Sequence, residues 1–282
     1  AYPIQIKNKI INCRQSASTL RFMLPLALTT NKQVAFTAQG SLTGRPLDDF
    51  YKILDAKNIL YQTNEGRLPL IVEGLLPGGI YYADTSITSQ TISALLMALP
   101  LIAYDSKIKV KGPLSSKNYI IMTMEMLKAA DINIKFNKET KEFIIRSSQS
   151  YKPFEYTVEA DYSAASFWLC ASAMGNEICS QGLDIKSKQA DKAFLQFLSD
   201  AGAKIMKKGG GIIIRADNDL RGITLNIDNT PDLLPAVAVF ACSVEGITQI
   251  TGLKRLKYKE SDRVKTVVNM INSLGGDVVE IT

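Results

Sequence analysis

The sequence of 282 residues contains no histidine, and this absence excludes several kinds of catalytic site. A Ser-His-Asp triad, a Cys-His dyad and a histidine-ligated metal centre all need imidazole. The four cysteines, at positions 13, 170, 179 and 242, form no Cys-x-x-Cys pair, so a zinc site is not expected either. Acid–base chemistry in this chain therefore falls to Asp, Glu, Lys or Tyr, and no metal or other cofactor is predicted.

The chain also lacks long apolar runs. The longest, residues 92–104, is interrupted by Ser93 and Pro100 and is shorter than the roughly 20 residues that a membrane-spanning helix needs. Residues 1–9 lack the apolar core of a secretory signal. Because no disulfide framework is indicated either, the sequence predicts a cytoplasmic protein with reduced thiols.

Charge of one sign is only slightly in excess. The 33 basic and 27 acidic side chains leave a net charge of +6, which suits anionic small molecules as well as nucleic acid. No basic run is interleaved with aromatic residues, so nucleic acid is the weaker interpretation. The prediction is a monomer that binds small-molecule substrates, with no nucleic acid or membrane partner.

What the chain does contain is a repeat. Four segments, which begin near Ser18, Ser89, Ala164 and Leu234, share one layout with a period of about 70 to 75 residues. Each has an apolar helix, a strand, an amphipathic helix, and a final strand or hairpin. The fourth segment is predicted to end in a strand at 277–281. Repetition of such a βαβ-type unit predicts an α/β (α+β) protein built by duplication.

A polar stretch separates the second segment from the third. Residues 146–156 include Ser-Ser-Gln-Ser, which is typical of a domain boundary. The sequence therefore predicts two domains, 1–157 and 158–282.

Polar residues gather at equivalent places in the repeats, close to helix starts. The free N–H groups and positive dipole end of a helix start suit anions. Lys259 and Arg263 are spaced to share one helical face, and two such cations can hold a phosphate or carboxylate. The alternative interpretations are ordinary helix caps and a solvated charged helix end. The candidates are Arg45, Thr88, Ser89, Gln90, Ser116, Tyr119, Asp232, Lys259, Glu260 and Arg263.

Five segments of the chain carry a resemblance to one protein family. Thr-Ser-Gln at 88–90 resembles the Ser-Ser-Gln motif of the 5-enolpyruvylshikimate-3-phosphate synthase family, and Lys-Tyr-Lys-Glu-Ser-Asp-Arg at 257–263 resembles its Val-Lys-Glu-Ser-Asp-Arg signature. Residues 13–21, 43–47 and 230–235 are similar to three further motifs of that family, in the same order. The resemblance covers essentially the whole chain. It implies the enolpyruvyl transferase fold of two domains with three βαβαββ repeats each, about four of the six being present here.

The resemblance implies transfer of the enolpyruvyl group of phosphoenolpyruvate to the 5-hydroxyl of shikimate 3-phosphate, with release of phosphate. Asp232 would be the base on the hydroxyl and Glu260 the proton donor to carbon. The first domain would take the shikimate and phosphate side, and the second would carry the catalytic carboxylates. The residues implied for shikimate 3-phosphate are Thr88, Ser89, Gln90, Ser116, Tyr119, Asp232 and Lys259. Those implied for phosphoenolpyruvate are Ala17, Arg45, Gln90 and Arg263.

The chain departs from the family pattern in places. Ala17 stands where the family has glycine, and its methyl group is expected to reduce sensitivity to glyphosate, which binds at the phosphoenolpyruvate site. Arg255 stands where many members have Asn and is left out of the predicted site. Residues 1–12 do not match the family's N-terminal Lys-Ser-x-Ser-x-Arg segment, and its C-terminal His-Arg and lysine segments would follow Thr282. The chain as written is therefore expected to be inactive alone.

Two alternatives remain open at this point. One is the related enolpyruvyl transferase that acts on UDP-N-acetylglucosamine, against which the 88–90 and 257–263 motifs argue. The other is a non-catalytic, decayed copy of the fold. The absent end segments favour decay, whereas the joint retention of Arg45, Asp232, Glu260 and Arg263 argues against it.

Overall fold

The computed structural model describes residues 4–84, 88–112, 114, 116–216, 219–259 and 261–281, and it divides the chain into two units, Ala1–Glu155 and Tyr156–Thr282. The boundary predicted after residue 157 is close to this division. Within the described ranges, no helix has both the length and the apolar character that a bilayer crossing requires.

The first unit opens with a six-element repeat. Its elements are β1 (Ile10–Asn12), α1 (Ala17–Ala27), β2 (Val34–Thr37), α2 (Asp48–Ala56), β3 (Leu60–Asn64) and β4 (Arg67–Glu73). The strands form one sheet in the order β1-β2-β4-β3. β1 and β2 are parallel, as a strand–helix–strand crossover requires, and β4 is antiparallel to both β2 and β3.

The same topology follows a second time. The elements are β5 (Gly79–Asp84), α3 (Gln90–Ala98), β6 (Ser106–Lys111), α4 (Lys117–Ala129), β7 (Ile134–Asn137) and β8 (Glu142–Ile145). Their sheet has the order β5-β6-β8-β7, with β5 parallel to β6 and the other pairs antiparallel. The first unit is therefore two βαβαββ repeats, and the predicted α/β fold by duplication is confirmed.

Burial explains why the two helices of a repeat differ in sequence. Helix α3 packs against α1 and is buried on nearly every side, so it has no polar face. Helix α2 buries only one stripe, formed by Phe50, Ile53 and Leu54, and is amphipathic. Strand β4 alternates exposed residues with buried Leu68, Leu70 and Val72, which directs its apolar face into the core.

The second unit contains two further repeats. Its elements are α5 (Tyr162–Ala173), β9 (Ser180–Gln181), α6 (Ala193–Asp200), β10 (Lys204–Lys208), β11 (Gly211–Arg215), β12 (Thr224–Asn226), α7 (Leu234–Ala241), β13 (Gln249–Thr251) and α8 (Arg263–Ser273). One sheet has the order β10-β11-β9, and the other pairs β12 with β13 in parallel. Helix α7 packs against both α5 and α8 around a second core.

Two sequence predictions need correction here. The strand predicted at 277–281 is not formed, because none of the described strands pairs with it; the side-chain amide of Asn272 instead hydrogen-bonds the backbone N–H and carbonyl of Val278, both at 3.0 Å. The repeat predicted from the sequence also began with a helix. In the structure, three of the four repeats begin with a strand instead, namely β1, β5 or β12. Two of these strands have only three residues, too few for alternation to be recognised.

Candidate functional site

In the first unit, the predicted site residues lie around the start of α1. Ser16 caps this helix by accepting a hydrogen bond from the Thr19 N–H at 3.1 Å. Ala17 is the first helical residue and is buried. The methyl group of Ala17 therefore occupies space directly at the helix N-terminus, where backbone N–H groups suit an anion.

Arg21, one turn further along α1, joins three of the predicted motifs. Its guanidinium is buried; Nη1 donates to Gln90 Oε1 at 2.9 Å, and Nη2 donates to the carbonyl of Pro46 at 3.1 Å. Gln90 Nε2 in turn donates to Ser18 Oγ at 2.9 Å. Side chains that are 69 and 72 positions apart in sequence thus form one hydrogen-bonded network at two helix starts.

The network places the neighbouring predicted residues as well. Arg45 is half-buried and extended after the 3-10 helix Gly40–Gly44, and it directly precedes the Pro46 that Arg21 holds. Thr88 Oγ1 accepts from the Gln90 N–H at 3.2 Å, and Ser89 is buried beside it. The motifs at 13–21, 43–47 and 88–90 are therefore adjacent in space.

Ser116 and Tyr119 lie at the start of α4, the helix that packs against α3. Ser116 is buried in a left-handed conformation, with φ at 53°, and its carbonyl accepts from the Tyr119 N–H at 3.2 Å. The hydroxyl of Thr123 donates to Ser93 Oγ at 2.9 Å and ties α4 to α3. Such a backbone costs about 1–3 kcal/mol for a residue with a Cβ, and such strain is often found at binding sites.

In the second unit, Asp232 and Arg263 form the core of the predicted site. Asp232 belongs to the 3-10 helix Pro231–Leu233 that leads into α7, and Arg263 is the first residue of α8. The Arg263 guanidinium donates to the Asp232 carboxylate and to the Pro231 carbonyl. Lys259 is half-buried in the segment before α8. Glu260 lies outside the described residues.

Arg255, left out of the predicted site, anchors the loop that carries Asp232. It is buried, and its Nε donates to Asp228 Oδ1 at 3.1 Å, while its Nη2 donates to the Asp228 carbonyl. A guanidinium bound both to a carboxylate and to the backbone of one residue restrains that residue strongly. Arg255 therefore holds the segment four residues before Asp232.

Two residues of these networks, Arg21 and Asp191, were given no role in the site from the sequence. Arg21 is the only charged residue in α1, and a lone arginine in an apolar helix was the available signal. Asp191 lies in the 3-10 helix Ala190–Lys192 before α6 and is bonded to Ser163, near the start of α5. An acidic residue in the first turn of a helix ordinarily interacts with the positive end of the helix dipole, so Asp191 gave no distinctive signal in the sequence.

Asp191 is buried, with 2% of its surface exposed, and the Ser163 hydroxyl donates to its Oδ2. Burial is the main cause that raises the pKa of Asp191 to about 6; the Ser163 hydrogen bond opposes the rise, and the like charges of Asp232 and Asp161 add to it. Lys259 acts in the opposite direction. A carboxyl with a raised pKa thus lies within electrostatic range of two predicted site residues, Asp232 and Lys259.

Comparison with known proteins gives one family. The family described as EPSP synthase (3-phosphoshikimate 1-carboxyvinyltransferase) matches residues 2–282. Relatives named 3-phosphoshikimate 1-carboxyvinyltransferase include those of Clostridium kluyveri, 37% identical over 98% of this chain and 65% of the relative, and Clostridium perfringens strain SM101, 39% identical over 97% and 64%. The chain thus spans slightly less than two thirds of the length of these relatives.

Solved structures support the fold. An EPSP synthase of Acinetobacter baumannii matches with a TM-score of 0.72 at 20% identity, covering 94% of this chain and 61% of that one. The enolpyruvyl transferase NikO of Streptomyces tendae matches with a TM-score of 0.60 at 14% identity, covering 81% and 55%. At such identities the likeness concerns the fold alone.

Proposed function

The chain belongs to the EPSP synthase (3-phosphoshikimate 1-carboxyvinyltransferase) family, and from this premise we propose that its residues serve the transfer of the enolpyruvyl group from phosphoenolpyruvate to the 5-hydroxyl of shikimate 3-phosphate. This reaction releases phosphate and belongs to the route to chorismate and the aromatic amino acids. The rival acting on UDP-N-acetylglucosamine and the non-catalytic copy are the alternatives that the experiment below tests.

The chemistry needs one base and one acid. In the addition step, the 5-hydroxyl oxygen bonds to C2 of phosphoenolpyruvate, its proton goes to a base, and the methylene carbon C3 receives a proton from an acid. In the second step, the C2–O bond to phosphate breaks and C3 loses a proton, which restores the double bond. Two phosphates and a carboxylate must be held by cations and N–H groups throughout.

In the first unit, we assign anion binding to the helix starts. Gln90 is held by Arg21 and Ser18, so the orientation of its amide is fixed before a ligand binds. Arg45 follows a fixed turn and supplies the positive charge for phosphoenolpyruvate, together with the backbone at Ala17. The residues assigned to shikimate 3-phosphate in this unit are Thr88, Ser89, Gln90, Ser116 and Tyr119.

In the second unit, Asp232 is assigned as the base and Glu260 as the proton donor. Asp232 is ion-paired with Arg263, which fixes the position of its carboxylate. Arg263 is also assigned to phosphoenolpyruvate and Lys259 to shikimate 3-phosphate. No step in this scheme needs imidazole, in keeping with a chain that has no histidine.

The observation that carries the proposal is the network around Arg21. An apolar helix has no structural need for a buried arginine, and this one joins Gln90 and the Arg45–Pro46 loop by hydrogen bonds of 2.9 and 3.1 Å. Burying a guanidinium is costly unless its donors are used. The arrangement is accounted for if it holds two ligand-binding segments in place.

Ligand-induced stabilisation of the full chain tests the proposal. Shikimate 3-phosphate at 100 times its dissociation constant is expected to stabilise the fold by about 2.7 kcal/mol. UDP-N-acetylglucosamine is expected to have no effect. Each ligand is measured with and without phosphoenolpyruvate. Gln90→Ala should abolish the shift, and Gln33→Ala, which removes an exposed amide of the same unit bonded to Glu73, should keep it. Stabilisation by UDP-N-acetylglucosamine but not by shikimate 3-phosphate would refute the proposal. The absence of stabilisation by either ligand would refute it as well.

Three further assignments accompany this function. We propose that the chain acts as a monomer, on small molecules rather than on nucleic acid, and in the cytoplasm. The four cysteines, all within the described residues, are free thiols, which suits a reducing compartment. Light scattering of the purified chain tests the first of these: a mass well above the 31.0 kDa of one chain would contradict it.

A further inference from the structure

The buried carboxyl of Asp191 lies within electrostatic range of three charged residues that stand at other helix starts of the second unit. Asp161 caps α5, Asp232 precedes α7, and Lys259 precedes α8, and each of them acts electrostatically on Asp191. Helix α5 contacts the 3-10 helix that contains Asp191 and the one that contains Asp232. The carboxyl is therefore part of the same cluster as the proposed base and the proposed anion-binding lysine.

The hydrogen bonds of this carboxyl are incomplete. Oδ2 accepts from Ser163 Oγ, whereas Oδ1 is buried and has no hydrogen-bond partner among the residues that the structure describes. A buried carboxylate oxygen without a donor is costly, and most buried polar atoms avoid this state. Such a carboxyl is expected to bind a proton readily.

The charge of the cluster depends on that proton. An ionised Asp191 adds a negative charge to those of Asp161 and Asp232, within electrostatic range of Lys259, and Asp232 is itself paired with Arg263. Protonation of Asp191 removes that negative charge. An anion that binds beside the two cations is therefore favoured by protonation of Asp191, and by reciprocity the bound anion favours that protonation.

We propose that Asp191, held by Ser163, is a positioning residue that takes up a proton when an anionic ligand binds beside Lys259 and Arg263. It acts through the charges of these neighbours rather than by touching the ligand. The inference deepens the proposed function and rests on it for the anion-binding role of the two cations. The raised pKa of Asp191, about 6, is consistent with it.

Sulfate is a suitable probe because it mimics phosphate and keeps its charge between pH 5 and 8. Calorimetric titration of the full chain in two buffers of different ionisation enthalpy measures the protons taken up with each sulfate. If sulfate stabilises the protonated carboxyl tenfold, its affinity falls about tenfold from pH 5 to pH 8, with uptake of about half a proton at pH 6.5. The chain has no histidine, so few other groups titrate in this range.

Matched variants assign the proton to one carboxyl. Asp191→Asn should abolish the uptake and remove the pH dependence of sulfate affinity. Asp161→Asn removes a like charge at an exposed cap, where Asn caps equally well, and should keep the uptake. Ser163→Ala removes the hydrogen bond that lowers the pKa of Asp191 and should move the uptake to higher pH.

The outcomes separate this inference from the proposed function. Failure of the wild-type chain to bind sulfate, binding without proton uptake, or uptake that persists in Asp191→Asn would each overturn the inference. If sulfate binds with uptake at Asp191 but shikimate 3-phosphate does not bind, the proposed function fails and the inference stands. If shikimate 3-phosphate binds while sulfate binds without proton uptake, the function stands and the inference fails.

Discussion

Replacement of Asp191 by Asn should stabilise the second unit, and by an amount that depends on pH. Burial raises the pKa of Asp191 from its ordinary value of 3.8 to about 6. In the unfolded chain this carboxyl releases its proton near pH 3.8, so between pH 4 and 6 the folded state binds more protons than the unfolded state. The free energy of unfolding therefore falls as pH rises through this window and stays lower above it.

The size of the effect follows from the same two values. A pKa difference of one corresponds to about 1.4 kcal/mol, so the raised pKa of Asp191 lowers the free energy of unfolding by about 3 kcal/mol at pH 8 and by about 1 kcal/mol at pH 4.5. Asn cannot ionise, and its amide oxygen can still accept the hydrogen bond from Ser163. The predicted quantity is the difference: Asp191→Asn should gain about 2 kcal/mol more at pH 8 than at pH 4.5.

Urea unfolding at these two pH values measures this difference. The chain has a single tryptophan, Trp168, which lies in α5, so its fluorescence reports on the second unit. Asp161→Asn is the control and should change stability by less than about 0.5 kcal/mol at either pH, because Asn and Asp cap helices about equally. An equal change in stability at both pH values would show that Asp191 does not ionise in a buried site and would refute the reasoning.

Three further predictions concern single side chains. Arg21→Ala should lower the free energy of unfolding of the first unit by about 2 kcal/mol or more, because Gln90 Oε1 and the Pro46 carbonyl each lose a donor. Urea unfolding measures this change. A change within about 0.5 kcal/mol, the effect of an ordinary surface substitution, would contradict the prediction. Ala17→Gly should bind glyphosate roughly tenfold more tightly in calorimetry, since a crowding methyl group costs about 1–3 kcal/mol; equal affinities would rule this out. Arg255→Ala should lower stability by about 1–3 kcal/mol by releasing Asp228, and unchanged unfolding would show that the loop needs no anchor.

The repeat and its helices could be predicted from the sequence because they depend on local patterns. The apolar first helix and the amphipathic second helix, as in α3 and α2, follow from how many sides each helix buries. The short strands β1 and β12 were missed, because they exist by parallel pairing with β2 and β13, which are far along the chain.

The candidate site divides in the same way. The sequence by itself determined the chemical types, since helix starts with hydroxyls, amides and cations suit anions whatever the tertiary fold. Only the tertiary structure decided which groups act together. Arg21 meets Gln90 from 69 positions away, and Asp191 meets Ser163 from 28. Burial and like charge from distant segments set the titration of Asp191, and a linear pattern carries no record of either.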